Sequence, residues 1–266
     1  MLGLVTMLIG LGCAPHHRPA ETVEVERFDI HIEAHFGALV DTESHRSVQA
    51  ATDADLKLQV VLTPVRLFRD GSLGSIVSIE SASLRVSEGG AERSMPLTLV
   101  GRTAELRTFP NGEILDIAWG DRLAGLGRYL DVFEVVFPAI SPSPPTVEDG
   151  EEARRRIIWP FRGAAGLRWD NAVEAIWTNQ GVRKAGEEEA WQIHYEGPWT
   201  LRGPARTNRS VTSYRAEGQG SGTVGLERTS GLLVSHDFEW QRTAVVSRKR
   251  SLQQTQTFVG HVERIR

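Results

Sequence analysis

Apolar and polar residues alternate along most of the chain after residue 25. Phe28, Ile30, Ile32, Ala34 and Phe36 are apolar, with Asp29, His31, Glu33 and His35 between them. A period of two places one set on each face of a strand, so this stretch reads as a half-buried β-strand with one wet face. Val25 is out of phase with Phe28, which predicts a bulge near Glu26-Arg27. Leu56, Leu58, Val60 and Leu62 mark a second strand, and Pro64 marks an edge or a bend, because proline offers no N–H to a ladder. Shorter strands are expected around 75–86, 94–100, 102–109 and 113–119, with turns at Asp70-Gly71 and Asn111-Gly112.

One stretch has a different period. Leu123, Leu126, Leu130, Phe133 and Phe137 are spaced by three or four. This predicts one main helix near 121–137, ending before Pro138, with its apolar stripe on a sheet. Ser141-Pro142-Ser143-Pro144-Pro145 and the residues to Gly150 then read as a connector. It either separates two halves, 22–140 and 151–266, or crosses within one domain. The second half returns to strands. Trp191, Ile193 and Tyr195 alternate, and Trp199 and Leu201 keep their parity past Gly197-Pro198. Further strands at 210–215, 222–228, 231–242 and 252–266, with a turn at 227–231, read as an antiparallel meander. The predicted fold is mainly β: a large twisted antiparallel sheet, half-barrel or sandwich-like, with one helix.

The first thirteen residues have neither pattern. They form an uncharged apolar run that ends on Gly12 and Cys13, the only cysteine, and a polar stretch beginning Ala14-Pro15-His16-His17 follows. The run is too short to span a bilayer, which takes about 20 residues, but it suits the core of a signal peptide. The segment resembles the signal of bacterial lipoproteins, although Gly10 and Leu11 depart from the usual residues and no Lys or Arg precedes the run. The resemblance implies a signal peptide at 1–12, cleavage before Cys13, acylation of Cys13 (palmitate and related chains) and a tether over 13–21. Ala14 is not the Asp that typically retains such proteins at the inner membrane, which implies the outer membrane, facing the periplasm. One cysteine leaves no intrachain disulfide.

Composition narrows the function classes. The chain has 266 residues, 40% of them hydrophobic, and a formal net charge of −4. That balance lacks the basic footprint of a nucleic-acid binder. Gly220-Ser-Gly222-Thr-Val-Gly225 fits G-x-G-x-x-G, but a dinucleotide site needs that pattern between a strand and a helix. Leu226 to Val234 instead reads as strand, turn, strand, so strand curvature or a bulge is the better account of the glycines. His31 and His35 would stand about 13 Å apart on a strand, too far to share one ion. No nucleophile elbow occurs. We therefore expect no cofactor, no metal and no enzymatic activity.

The extended motif from Gly220 to Gly231 resembles β-rich bacterial envelope lipoproteins, a likeness that implies no activity. The architecture is more loosely similar to the periplasmic lipoprotein-carrier fold, a curved sheet around an apolar cavity. Five of the seven tryptophans lie between Trp159 and Trp199. They are expected either to pack a core or to line such a cavity. Under the second reading Trp191, Ile193, Tyr195, Phe133 and Phe137 would contact an apolar ligand. The expected function is a lipid-anchored structural or interaction module, with an envelope protein or a lipid as partner. The alternative is a carrier for a lipid or other apolar ligand.

Overall fold

The structure is a computed structural model. It describes residues 25–265 except 96–98, 110–112, 120–131, 134, 143, 147, 163–167, 186–187, 203–212 and 248–250. Cys13 and the signal-like segment lie outside the described residues, as do most of the expected helix and the Asn111-Gly112 turn.

Strand alternation becomes a single antiparallel sheet. Its main path uses β1 (Glu26–Phe36), β4 (Thr52–Leu67), β5 (Leu73–Glu88), β7 (Thr103–Thr108), β8 (Ile114–Trp119), β9 (Glu152–Arg162), β10 (Arg168–Ala185), β11 (Glu188–Arg202), β12 (Ser213–Glu227), β13 (Leu233–Ser247) and β14 (Ser251–Ile265). The short strands β2 (Leu39–Asp41), β3 (Ser47–Gln49) and β6 (Ala91–Met95) hang off this path. The order is β8-β7-β5-β4-β1-β14-β13-β12-β11-β10-β9. The end strands β8 and β9 come back beside each other, so the sheet curls into a nearly closed barrel. β1 pairs with both β4 and β14, so strands from either side of the 141–150 connector share one sheet and one core.

The apolar set of every long strand points inward. Phe28, Ile30, Ile32, Ala34 and Phe36 are buried, as are Leu56, Leu58, Val60 and Leu62. The exposed set is mainly polar and includes Asp29, Glu33, Asp53, Glu196, Asp237 and Glu239, with Val182 and Val259 as apolar exceptions. A membrane-spanning barrel has the opposite arrangement, with an apolar band outside. Pro64 lies past the last residue pair between β1 and β4, at a register shift against β5, so it is both at an edge and at a bend.

Three local expectations are corrected. The register of β1 is unbroken on both sides from its first residues. There is no bulge at Glu26-Arg27: Val25 points outward, 54% exposed, and Glu26 takes the inward position. Within the described part of the helical region, α1 spans Val136–Ile140 and includes Pro138. A proline in the first turn breaks no bond, because backbone N–H groups there have no helical acceptor. Residues 213–215 and 222–227 belong to one strand, β12, which continues through Gly218, Gly220 and Gly222 and shifts register against β13 between Gly225 and Leu226.

Those glycines are what the interior requires. Gly222 is paired with Tyr195 on one side and Phe238 on the other, and Phe238 is paired with Gly260 on β14. A Cβ on Gly260 would lie 2.1 Å from Phe238 Cζ, and one on Gly222 would lie 2.6 Å from Tyr195 Oη. At Gly218 the obstacle is backbone: a Cβ would fall 1.8 Å from the Gln241 carbonyl oxygen. Gly260→Ala and Gly218→Ala should each destabilise the protein by about 1–3 kcal/mol, the range for overpacking a filled core. The outward change Ser221→Ala should stay within about 0.5 kcal/mol. Urea unfolding of the three variants checks this, and near-neutral glycine variants would contradict it.

Candidate functional site

Inward side chains from five of the six C-terminal strands meet as an aromatic stack. Trp159 on β9 lies against Trp240 on β13 at 5.1 Å between ring centroids, with planes 27° apart. Trp199 on β11 touches both, and Phe258 on β14 meets Trp199 edge-on at 5.9 Å. Trp177 packs on Tyr195 at 4.7 Å. All of these rings are almost fully buried. Offset and edge-on pairs of this kind add about 0.5–1.5 kcal/mol each beyond area burial.

Several polar groups in this interior are held by partners. Trp199 Nε1 donates to Asn171 Oδ1 at 3.1 Å. The Arg242 guanidinium is 1% exposed; it lies 4.4 Å over the Trp199 ring and donates through Nε to Gln256 Oε1 at 2.7 Å. Cation–π contact and a charge-assisted hydrogen bond are how a cation is kept in such a place.

The helical segment plugs one side of the interior. Val132, Phe133 and Val135–Ile140 are buried, and Phe137 meets Trp119 edge-on at 5.4 Å. His236 on β13 ties the plug to the wall, with Nδ1 2.9 Å from the Ala139 carbonyl oxygen. A carbonyl only accepts, so Nδ1 carries the proton and Nε2 is free to accept. Tyr195 Oη, 3.0 Å from Nε2, therefore donates to it, and Trp240 Nε1 donates to Tyr195 Oη at 3.0 Å. The chain Trp240–Tyr195–His236–Ala139 is continuous and buried. Burial pushes the His236 pKa down to about 4, so the ring is neutral in this network. Burial likewise pushes the Tyr195 hydroxyl well above its ordinary value.

The five candidate ligand-contacting residues are placed as follows. Ile193 and Tyr195 are fully buried in the wall, and Phe133 and Phe137 are buried in the plug. Trp191 is partly buried and packs against the same core. All five face inward, where they meet protein side chains. Periodicity could not have indicated His236 or Arg242, because their partners come from strands and a helix remote in sequence.

The outer face carries the remaining ionisable clusters. Three shallow grooves of about 340, 450 and 500 Å³ run across it, lined mainly by polar residues including Glu33, His31, Asp237, Glu239, Glu196 and His261. His31 bonds Asp55 at 2.9 Å, His35 bonds Asp53 at 2.6 Å, and His261 bonds Asp237 at 2.6 Å. His31 and His35 thus have separate carboxylate partners. The Asp237 bond holds the His261 pKa above its usual value and the Asp237 carboxyl below its own. These pairs are about half exposed, so each is worth little to stability. Among the described residues no three His, Cys, Asp or Glu side chains converge as metal ligands. The G-x-G-x-x-G motif lies inside β12 and opens no helix, so it offers no helix N-terminus to a pyrophosphate.

No protein-family model and no curated protein matches the chain. Among solved structures it is similar to Pseudomonas aeruginosa OpdQ at 6% identity, covering 91% of this chain and 98% of that one, with a TM-score of 0.25. A likeness at that score carries no weight for fold or function.

The neutral His236 makes stability depend on pH. Its pKa is near 6.5 when unfolded and about 4 when folded. Between those values the unfolded chain binds more protons, so stability falls as pH drops, by about 3 kcal/mol in total. His236→Phe removes this dependence and keeps the His261–Asp237 pair, whose contribution has the opposite sign. The stability gap between wild type and His236→Phe should therefore be large at pH 7.5 and clearly smaller at pH 4.5, as read by urea unfolding. An equal gap at both pH values would contradict the buried neutral ring.

Proposed function

We propose that this chain is a bacterial envelope lipoprotein, held by acyl chains on Cys13, whose barrel serves as a rigid structural or interaction module. The observation that carries this reading is the filled interior. A carrier's pocket is typically about 300 Å³ or more, largely pre-formed and lined by apolar groups. Here that space holds Trp159, Trp177, Trp199, Trp240, Tyr195 and a plug hydrogen-bonded through Ala139. Among the described residues, the grooves lie on the outer face and are lined by charged side chains such as Glu33, Asp237 and Glu239. Such a surface is suited to a protein partner in water, and we assign it no catalytic role. The signal resemblance supports the outer membrane, facing the periplasm, as the site of action.

The alternative, a carrier for a lipid or other apolar ligand, draws on a different observation. Trp159 Nε1 and Asn171 Nδ2 are buried without a hydrogen-bond partner among the described residues, and the two residues face each other across β9 and β10. A ligand carbonyl would satisfy both donors.

Anchoring is tested on the cysteine. Cys13→Ala should shift the protein from the membrane fraction to the soluble fraction or stop its processing. Intact mass of the mature wild type should correspond to a chain beginning at Cys13 with added acyl chains. A mature chain that starts elsewhere and carries no lipid would end the lipoprotein reading.

A further inference from the structure

The exposed apolar residues include a pair on one hairpin. The last residue pair between β1 and β4 is Glu26–Leu62, and β4 then continues from Thr63 to Leu67 with β5 alone as its neighbour. In this overhang a register shift between Pro64 and Arg66 leaves Val65 unpaired. Val65 is 56% exposed and Leu67 is 58% exposed. Arg66 and Arg69, also exposed, alternate with them.

The hairpin is built rather than loose. Phe68 N–H donates to the Ser72 carbonyl at 2.8 Å, and Asp70 Oδ1 accepts from both Ser72 N–H and Ser72 Oγ. Arg107 on β7 braces the turn, donating to Asp70 Oδ2 at 2.7 Å and to Ser72 Oγ at 2.8 Å. The Phe68 ring lies under the guanidinium groups of Arg66 and Arg107, at 4.8 and 4.1 Å. Asp70 offsets Arg107, which leaves the tip with the two charges of Arg66 and Arg69. Valine and leucine are thus held outward on a rigid cationic turn.

The position of this tip indicates what it meets. β4 runs antiparallel to β1, so the overhang extends from the end of the barrel at which the N-terminal chain enters β1. Val25, one residue outside the Glu26–Leu62 pair, is exposed and borders the overhang. Twelve residue steps lead from Cys13 to Val25. They span at most about 43 Å when fully extended and about 20 Å as a relaxed coil. An anchor on Cys13 therefore keeps this end of the barrel close to a bilayer and raises the effective concentration of lipid at the tip.

We propose that the β4–β5 tip is a membrane-docking element: Val65 and Leu67 enter the interfacial zone of the bilayer while Arg66 and Arg69 engage lipid phosphates. The inference rests on the anchoring reading only for its geometry. Apolar residues between cations match an anionic phospholipid surface, where each near-surface Arg adds roughly fivefold in binding. Docking would fix which part of the outer face is turned away from the membrane.

The test supplies the tether artificially, so it does not depend on acylation in cells. The mature-length chain from residue 13, with Cys13→Ser and an N-terminal hexahistidine, is bound to vesicles of phosphatidylcholine and phosphatidylglycerol containing nickel-chelating lipid. Leu67→Cys then provides the only thiol for an environment-sensitive fluorophore. Val48→Cys on β3, which is 50% exposed, is the comparison site. Circular dichroism confirms that both fold. Quenching by brominated acyl chains is expected at position 67 and not at position 48. Without the tether, Arg66→Glu with Arg69→Glu should weaken binding to phosphatidylglycerol vesicles about tenfold or more. A label at position 67 that reads as aqueous on the vesicle, or tip binding that needs a protein added to the vesicle, would overturn the proposal. Failure of Cys13 acylation in cells would appear in the fractionation experiment instead and leave this result readable.

Discussion

A sheet that curls round on itself must fill its own inside, and the space it encloses is set by how closely neighbouring strands can hold large side chains. In this barrel the solution is a division of labour between strands. β12 presents Gly218, Gly220 and Gly222, and the strands on either side present Trp199, Tyr195, Trp240 and Phe238. Gly260 on β14 does the same for Phe238. Without a Cβ at those positions the rings can lie across the neighbouring strand and stack on one another. The plug, the buried Arg242 and the buried hydrogen-bond chain through His236 all occupy positions that this stack defines.

The same packing shapes the chemistry available to the protein. Inside, ionisable groups are neutral or enclosed: His236 is held uncharged, and Arg242 is covered by Trp199 and bonded to Gln256. Outside, carboxylates and histidines pair in water, where screening makes each pair weak. A barrel that is apolar within and charged without does not present a lipid-facing band. On the proposed reading, contact with a membrane would run through the anchor on Cys13 and the β4–β5 tip.

Much of this architecture was legible in the sequence. The alternation from Phe28 to Phe36 and from Trp191 to Leu201 set both the strands and their buried faces, because period two has a single structural meaning. Asp70-Gly71 and the 227–231 turn marked real reversals, the latter closed by Gly231 N–H on the Glu227 carbonyl. Other features were hidden for physical reasons. Glycine lowers strand propensity, so β12 read as two pieces, although its glycines are there to admit neighbouring rings. Pro138 read as a helix end because its place in a first turn depends on where the helix begins. Glu26 took an inward position that its charge argued against. Trp191, Ile193 and Tyr195 were rightly placed on one face, but whether that face meets a ligand or other side chains depends on Trp159, Trp240 and the plug, which lie far away in sequence.

The central claim is that the barrel fills itself and works through its outside. Native mass spectrometry of the protein extracted gently from membranes tests this most directly. The account predicts the mass of the acylated chain alone, with no further lipid released on unfolding. A stoichiometric non-covalent ligand that stays bound in the folded protein and leaves when it unfolds would contradict it. The interior would then be a site, with Trp159 Nε1 and Asn171 Nδ2 as the first donors to examine.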